Sequence, residues 1–262
     1  MTVISLTTDL HHQDYYLGAL KGRLLSLCPG SQLINLSHNI QNYNISQAAF
    51  ILKNAYHHFP EGSIHILGVN SEATSQHKHV AIKHKGHYFI GADNGIFSLA
   101  LKGEPEQIVR IENIKKEERY HTFPEMNVFV KAAAEIINSG GIKSLGPTQE
   151  DLYRLVPIRA TIQKGTITGQ AIYIDSNGNI TTNVSEELFT SACDNRKFEI
   201  LVQSNHYRIT KINKDYHETS DGELLALFNS SGLLEIAINK GNLAELLQLE
   251  TNSDIRIKFH DY

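Results

Sequence analysis

The sequence predicts an α/β fold, in which an N-terminal, largely parallel sheet with flanking helices is followed by a smaller C-terminal β-barrel-like domain. Strand and helix signals alternate through roughly the first 140 residues, as in crossover units. After them, short β-rich segments separated by Gly, Asn and Ser turns take over. A chain of 262 residues with 41% hydrophobic residues can bury a core in each of two domains.

The elements of the N-terminal part follow from hydrophobic spacing and from stop signals. Strands are predicted over residues 3–6, 32–36 and 64–69, helices over residues 14–28, 45–58 and 127–138, and a hairpin from residues 79–83 and 88–91. Asn44 is the predicted cap of the second helix, and Gly140-Gly141 ends the third. Strands that alternate with helices at this spacing favour right-handed crossovers and parallel pairing.

The C-terminal part begins where the pattern changes. The segment 143–157 contains Gly146-Pro147 and many polar residues, so we place the boundary near Arg159, with domains at 1–158 and 159–262. Strands are predicted over residues 160–164, 166–173, 180–182, 198–202, 207–212, 224–228, 233–239 and 255–259.

Composition excludes several classes of partner. The formal net charge is -4 and no run of Lys or Arg forms a stripe, so neither a nucleic acid nor an anionic membrane is expected to bind. No segment reaches the ~18 apolar residues that span a bilayer, and residues 1–9 lack a basic region, so they predict a first strand. Cys28 and Cys193 form no CxxC unit, which indicates a reducing compartment, the cytoplasm by default.

The most informative stretch runs from Tyr173 to Asn183. Its Asn177-Gly178 pair between two strand-like arms predicts a hairpin with a type I′ turn, in which both central residues have positive φ. Asp175 and Asn179 flank the turn, and a hairpin alone does not need them. A carboxylate and an amide facing one side are suited to an ammonium group or the edge of a heterocycle.

A second polar group follows the first strand, where open α/β sheets bind ligands. Asp9 and Asp14 are suited to ribose hydroxyls, although they are equally suited to a turn and a helix N-cap. Adjacent His11 and His12 do not have metal-ligand spacing, and no metal is expected. Most other histidines are interpreted as surface residues, among them His57, His58, His65, His77, His79, His84 and His87.

Generic catalytic motifs are absent, yet five spaced segments resemble one known family. They are residues 8–22, 36–38, 89–95, 173–183 and 222–239, with sequences that include FIGADNG and NSSGLLEIAIN. In their order and approximate spacing they resemble the S-adenosylmethionine hydrolases, or hydroxide adenosyltransferases, relatives of the fluorinase and chlorinase enzymes. The resemblance extends over the whole chain and implies the two-domain architecture described above.

The resemblance also implies a site and an assembly. It implies a homotrimer whose site lies between the N-terminal domain of one subunit and the C-terminal domain of the next, and it implies S-adenosylmethionine or adenosine as ligand without any cofactor. The implied contacts are Asp9 on the ribose hydroxyls with Asp14 beside it, Tyr43 packed on the ligand, Asp175 on the methionine ammonium, Asn179 on the adenine edge, Tyr216 as an aromatic wall, and Ser230 on the methionine carboxylate.

The chain departs from the family where the reaction takes place. Asn70, His77 and Pro124 stand where relatives carry the Asp, Arg and His of a water-activating triad, and Asn177 replaces an aromatic residue beside the turn glycine. The catalytic residues are therefore not identified by the resemblance, and Glu72, His77 and Glu125 are candidate replacement bases. Two hypotheses follow: a hydrolase that cleaves S-adenosylmethionine to adenosine and methionine, or a catalytically inactive protein that binds S-adenosylmethionine or adenosine.

Overall fold

The computed structural model describes residues 1–115, 122–204 and 207–260. The chain divides into two compact units, Met1–Val156 and Pro157–Tyr262. Within the described residues, no helix is both long and apolar enough to cross a membrane.

The first unit alternates strands and helices before it ends in a hairpin, a last strand and a last helix. Its elements are β1 (Val3–Thr8), α1 (Tyr15–Leu27), β2 (Gln32–Ser37), α2 (Ile45–Ala55), β3 (Ile64–Gly68), β4 (His79–His84), β5 (His87–Ala92), α3 (Ile96–Ala100), β6 (Gln107–Arg110) and α4 (Val130–Ser139).

The sheet of this unit is rich in parallel pairs, as predicted. Its strand order is β2-β1-β3-β5-β4-β6. Strand β1 is parallel to β2 and β3, and β3 is parallel to β5, whereas β4 is antiparallel to β5 and β6. Helices α1 and α4 cover one face of the sheet, and α2 and α3 cover the other, so the strands between them are apolar on both faces.

Local sequence explains the ends of the helices. Leu17, Leu20 and Leu24 form the buried stripe of α1. The Asn44 side chain accepts a hydrogen bond from the Gln47 N–H at the start of α2, as predicted. Helix α2 ends at Ala55, earlier than predicted, and a single 3₁₀ turn carries the chain on to His58. Gly140 ends α4 with a φ of 74°.

The second unit is a nearly closed, barrel-like antiparallel sheet with two short helices. Its elements are β7 (Thr161–Gln163), β8 (Thr166–Ile174), β9 (Ile180–Ser185), α5 (Glu186–Cys193), β10 (Lys197–Val202), β11 (Arg208–Ile209), β12 (Leu224–Phe228), β13 (Leu233–Ile238), α6 (Leu243–Leu247) and β14 (Asp254–His260). The order is β11-β10-β14-β8-β9-β13-β12, with β7 beside β8. A hydrogen bond from the Asn213 N–H to the Ala226 carbonyl (2.7 Å) links the segment after β11 to β12.

Several predicted elements differ from the structure. The strand expected over residues 207–212 forms a ladder only at Arg208–Ile209. Helices α5 and α6 were not predicted, because their apolar positions are too few to establish a period. Both begin with caps that the sequence does contain, Ser185 accepting from the Leu188 N–H and Asn242 accepting from the Glu245 N–H.

The prediction that most histidines are surface residues is wrong for four of those named. The side chains of His65, His79, His84 and His87 are buried on β3, β4 and β5. Nδ1 of His65 is hydrogen-bonded to Oγ of Ser5 (2.6 Å) and its Nε2 to Nδ1 of His87 (3.2 Å). Hydrogen bonds and ring packing make burial of the neutral imidazole acceptable.

Burial of neutral His65 makes the fold sensitive to acid. Burial, with a smaller contribution from His87, lowers the pKa of His65 from 6.5 to about 3. Because the folded-state pKa is depressed, the unfolded chain takes up the proton first as the pH falls below its ordinary pKa. We therefore expect the free energy of unfolding to decrease by up to about 1.4 kcal/mol per pH unit between these two pKa values.

Urea unfolding at pH 7 and pH 5 tests this expectation. His65→Phe retains a ring against Phe89. In this variant the free energy of unfolding should depend less steeply on pH, by the contribution of about one proton. His58→Gln, at an exposed position, is the matched control and should leave the slope unchanged. Equal slopes in all three proteins would contradict the assignment.

Candidate functional site

The first candidate site lies where the parallel strands of the N-terminal unit end. Strand β1 ends at Thr8, β2 at Ser37 and β3 at Gly68, and their parallel pairing brings these ends to one edge. Thr8 Oγ1 is hydrogen-bonded to Nδ1 of His38 (2.8 Å), which joins two of the loops that follow. This edge is the ligand-binding side of open α/β sheets.

At this edge the structure brings Asp9 and Tyr43 together. Oδ2 of Asp9 accepts a hydrogen bond from the Tyr43 N–H (2.9 Å). Tyr43 has a φ of 65°, and 71% of its surface is exposed. The result is a carboxylate bonded to the backbone of a residue whose aromatic side chain is exposed, and a carboxylate and an aromatic ring are the groups expected to bind a nucleoside.

Asp14 lies at the start of α1. It occupies the N-cap position of α1 but makes no side-chain capping hydrogen bond, and it is exposed. The capping role that the sequence left open for Asp14 is therefore not accompanied by a side-chain hydrogen bond. Its carboxylate remains at the positive end of the helix dipole.

Glu125 is the most buried charged side chain at this edge, with 3% of its surface exposed. A Cβ atom placed on Gly68 would lie 2.8 Å from Cγ and 2.9 Å from Oε1 of Glu125, so the carboxyl group lies directly against the end of β3. Burial raises the pKa of Glu125, and the nearby carboxylates of Asp9 and Glu72 raise it further. A hydrogen bond with the Ser71 side chain acts in the opposite direction.

The three positions that the resemblance aligns with a family triad have different surroundings. Asn70 is exposed with a φ of 46°, and its carbonyl accepts from Asn94 Nδ2 (2.9 Å). Nδ1 of His77 is hydrogen-bonded to the Asp93 carbonyl (2.9 Å), and its ring packs against Tyr153. Pro124 is buried at the start of a π-helical turn, Glu125–Phe129, that leads into α4. None of these three side chains offers a free carboxylate.

The FIGADNG segment has a structural role here. Oδ1 of Asp93 accepts from the Tyr153 N–H (2.9 Å) and Oδ2 accepts from Gln149 Nε2 (2.8 Å). Asn94 Nδ2 donates to the carbonyls of Val69 and Asn70. These bonds fasten the loop after β3 and the segment near residue 150 to the end of β5.

The second candidate site is the turn between β8 and β9, and its predicted type is wrong. Only Gly178, with a φ of 79°, has positive φ at the turn, whereas type I′ needs positive φ at both central residues. The Gly178 N–H donates to the Asp175 carbonyl (3.1 Å), and the Asp175 N–H donates to the Asn179 carbonyl (3.0 Å). This pattern is a type I turn followed by a glycine bulge.

Asp175 and Asn179 therefore do serve the hairpin, contrary to the sequence-based interpretation. Oδ1 of Asp175 accepts from the N–H groups of Asn177 and Asn179 (both 2.9 Å), and Oδ2 accepts from Asn179 Nδ2 (3.1 Å). An Asp side chain commonly stabilises a turn in this way. The polar pair is explained first by local structure.

The same turn occurs elsewhere in the chain with an amide in place of the carboxylate. Between β12 and β13, Oδ1 of Asn229 accepts from the Ser231 and Leu233 N–H groups (3.0 and 3.4 Å), and Gly232 provides the positive φ. An amide oxygen is thus sufficient for this geometry. The negative charge of Asp175 exceeds what its turn requires and is available to a ligand.

Asp175 and its neighbours line a pocket of about 540 Å³. The lining comprises Asp175, Asn177, Asn179, Tyr216 and residues 238–242. The Tyr216 hydroxyl donates to buried Glu235, and Glu235 also accepts from Asn229 Nδ2 (3.0 Å). Burial, the Glu235 carboxylate and Asp175 raise the pKa of Tyr216, so its hydroxyl remains a donor.

Ser230 lies outside this lining, exposed in the turn that Asn229 forms. The structure therefore brings Asp175, Asn179 and Tyr216 together in one pocket, with Ser230 next to the residue that supports Glu235. The sequence analysis did not identify Glu235, because the strand that contains it is otherwise apolar. Only the burial of its side chain in the structure distinguishes it. Among the described residues, no three His, Cys, Asp or Glu side chains converge as a metal site requires.

Comparisons with known proteins agree with the fold. Residues 4–146 match the profile of the SAM hydroxide adenosyltransferase N-terminal domain, and residues 169–256 match that of the C-terminal domain. The chain also resembles a solved structure of an uncharacterized conserved protein from Thermotoga maritima, with a TM-score of 0.85 and 23% identity over 98% of this chain and 100% of that one.

Two named proteins are similar over nearly their full length. A protein from Methanocaldococcus jannaschii named (R)-S-adenosyl-L-methionine hydrolase is 31% identical over 269 residues, covering 98% of this chain and 96% of its own. A protein from Actinopolyspora mzabensis named fluorinase is 20% identical over 288 residues, covering 97% of this chain and 96% of its own.

The role of Asp175 in its turn predicts unequal effects of two substitutions. Asp175→Asn retains an oxygen acceptor for the two N–H groups, as Asn229 does in its own turn, so the free energy of unfolding should change little. Asp175→Ala removes the acceptor and should cost about 1–3 kcal/mol. Urea denaturation of both variants measures the difference, and equal losses would contradict this account of the turn.

The contact between Gly68 and Glu125 predicts an energetic coupling. Gly68→Ala should destabilise the fold by about 1–3 kcal/mol, because the new methyl group would overlap the confined Glu125 side chain. The same substitution in a Glu125→Ala background should cost less. A double-mutant cycle measured by denaturation gives the coupling, which should exceed about 0.5 kcal/mol, whereas additive effects would show that the two residues are independent.

Proposed function

The chain belongs to the SAM hydroxide adenosyltransferase family, and on that premise we propose that it cleaves S-adenosylmethionine into adenosine and methionine by attack of water at the 5′ carbon. The relatives named as hydrolases support an S-adenosylmethionine hydrolase-like function. The ligand is a small molecule, and the proposal needs no cofactor.

One observation carries the proposal: each unit presents a carboxylate close to an exposed tyrosine. Asp9 holds the N–H of Tyr43 in the first unit, and Asp175 lines a pocket with Tyr216 in the second. S-adenosylmethionine has the matching features, since a ribose diol and an ammonium group suit carboxylates and the purine suits an aromatic face.

Each predicted site residue takes a role on this basis. We assign Asp9 to the ribose hydroxyls with Asp14 nearby, Tyr43 to packing on the ligand, Asp175 to the methionine ammonium, Asn179 to the adenine edge, Tyr216 to an aromatic wall and Ser230 to the methionine carboxylate. The pocket in the second unit and the surplus charge of Asp175 support the assignments of Asp175, Asn179 and Tyr216. The assignment of Ser230, which lies outside that lining, rests on the resemblance to the family. The pairing of Asp9 with Tyr43 supports the first two.

We also propose that the active protein is a homotrimer in which the N-terminal site of one subunit and the C-terminal site of the next act on one ligand. The resemblance to the family is the ground for this assembly. The cytoplasmic location remains a prediction from the sequence.

A second candidate function is binding without catalysis. The side chains at three positions favour it, because none is a free base for the attacking water. Neither Asn70 nor Pro124 can accept a proton, and Nδ1 of His77 is hydrogen-bonded to the Asp93 carbonyl. Under this alternative the protein would bind S-adenosylmethionine or adenosine and leave it intact.

Incubation of the purified protein with S-adenosylmethionine distinguishes the two functions. Hydrolysis produces adenosine and methionine in equal amounts, which liquid chromatography resolves from the uncatalysed breakdown measured without protein. Binding in calorimetry without product formation would instead establish the second function. Asp175→Asn, which keeps its turn, should weaken binding of S-adenosylmethionine at least about tenfold and have a smaller effect on adenosine.

A mixing experiment tests the shared site. Asp9→Asn and Asp175→Asn subunits should each be impaired alone. If a site takes Asp9 from one subunit and Asp175 from another, equal mixing after dissociation and reassembly should restore about one site in four. No recovery in trimers that an affinity tag on one variant shows to contain both variants would contradict the shared site.

A further inference from the structure

Glu125 is a buried carboxyl group at the edge where the parallel strands end. Its side chain contacts Gly68 at the end of β3, and the same position on Gly68 lies 3.2 Å from Cγ2 of Thr8 at the end of β1. Asp9 follows Thr8 directly and donates its N–H to the Gly68 carbonyl (3.3 Å). Glu125 is therefore fixed beside the residue assigned to the ribose.

We propose that Glu125 is the general base that accepts the proton of the attacking water. This inference rests on the proposed function and supplies the group that the departures at Asn70, His77 and Pro124 leave unidentified. Glu125 directly follows Pro124, so the acceptor occupies the next position of the same turn.

Attack of water on S-adenosylmethionine forms one bond and breaks another. The water oxygen forms a bond to the 5′ carbon while the bond from that carbon to the sulfonium sulfur breaks. The electron pair of that bond goes to sulfur and produces neutral methionine, and one water proton passes to the Glu125 carboxylate and then to solvent. The leaving group needs no proton, so a single base is sufficient.

The other candidate bases fit this role less well. Nδ1 of His77 is engaged with the Asp93 carbonyl, and the His77 ring packs on Tyr153. Glu72 is exposed in the loop after β3, so water hydrates its carboxylate more fully than that of buried Glu125. Glu125 is confined by packing against Gly68 and by its bond with Ser71, and a confined group positions water without reordering.

The surroundings of Glu125 make it a stronger base than an exposed carboxylate. Burial raises its pKa above 4.5, as do the carboxylates of Asp9 on the loop after β1 and Glu72 on the loop after β3. Ser71 and the backbone N–H of Glu125 lower the pKa by less than burial raises it, and their effects are larger than those of Asp9 and Glu72. A base with a raised pKa accepts a proton more readily near neutral pH.

Glu125→Gln tests the proposal, because the amide retains the shape and hydrogen bonding of the side chain and cannot accept the proton. We expect kcat to fall at least about 100-fold while binding of S-adenosylmethionine, measured by calorimetry, changes little. The decline in wild-type rate at acidic pH, where Glu125 becomes protonated, should disappear from the residual rate of the variant. The melting temperature should stay equal or rise, since a buried charge is removed.

Glu150→Gln, at an exposed glutamate with no assigned role, is the matched control, and its rate should remain within about threefold of wild type. Glu125→Asp, which retains a carboxylate, should recover part of the lost rate. If the wild type cleaves S-adenosylmethionine and Glu125→Gln is unimpaired with the same acid limb, the role of Glu125 is wrong and the proposed function stands. If the wild type binds the ligand and cleaves none, the proposed function fails and the role of Glu125 fails with it.

Discussion

The arrangement of the N-terminal unit depends on one constraint, the parallel pairing of β1 with both neighbours. Backbone hydrogen bonding to β2 on one side and β3 on the other fixes the register of all three strands. The loops that follow them must then leave from the same edge. Thr8, His38 and Gly68 meet there because of that register. Every polar contact proposed for this unit depends on it.

Much of the fold could be predicted from the sequence because hydrophobic spacing is a local property. Strands β1, β2 and β3, the hairpin of β4 and β5, and the cap at Asn44 were expected, and the structure contains them, whereas β6 and α3 were not predicted. The short helices α5 and α6 were missed, since five to eight residues contain too little periodicity. The burial of His65 and Glu125 was missed for another reason. Histidine and glutamate are polar residue types usually found at the surface, and only tertiary packing places these two inside.

The sequence suggested candidate site residues, but it did not reveal the hydrogen bonds that they make. The sequence identified Asp175 and Asn179 and interpreted both as surplus to the hairpin, whereas the structure shows each bonded within the turn. The turn at Asn229 has the same geometry with an amide oxygen as acceptor, so only the negative charge of Asp175 is more than its turn needs. The oxygen of Asp175 serves the turn and its charge does not. Asp175 can thus have a folding role through its oxygen and a binding role through its charge, and replacement by asparagine separates the two.

The contact between Asp9 and Tyr43 has a consequence for how the first loop responds to a ligand. A bulky residue with a φ of 65° is strained by about 1 kcal/mol or more, and the hydrogen bond to Asp9 compensates for it. One carboxylate has about four lone-pair sites, so accepting the Tyr43 N–H leaves room for a diol. A ligand that pulled Asp9 out of position would release the backbone that presents the tyrosine ring. Ring placement and hydroxyl recognition are in this way mechanically coupled through one carboxylate.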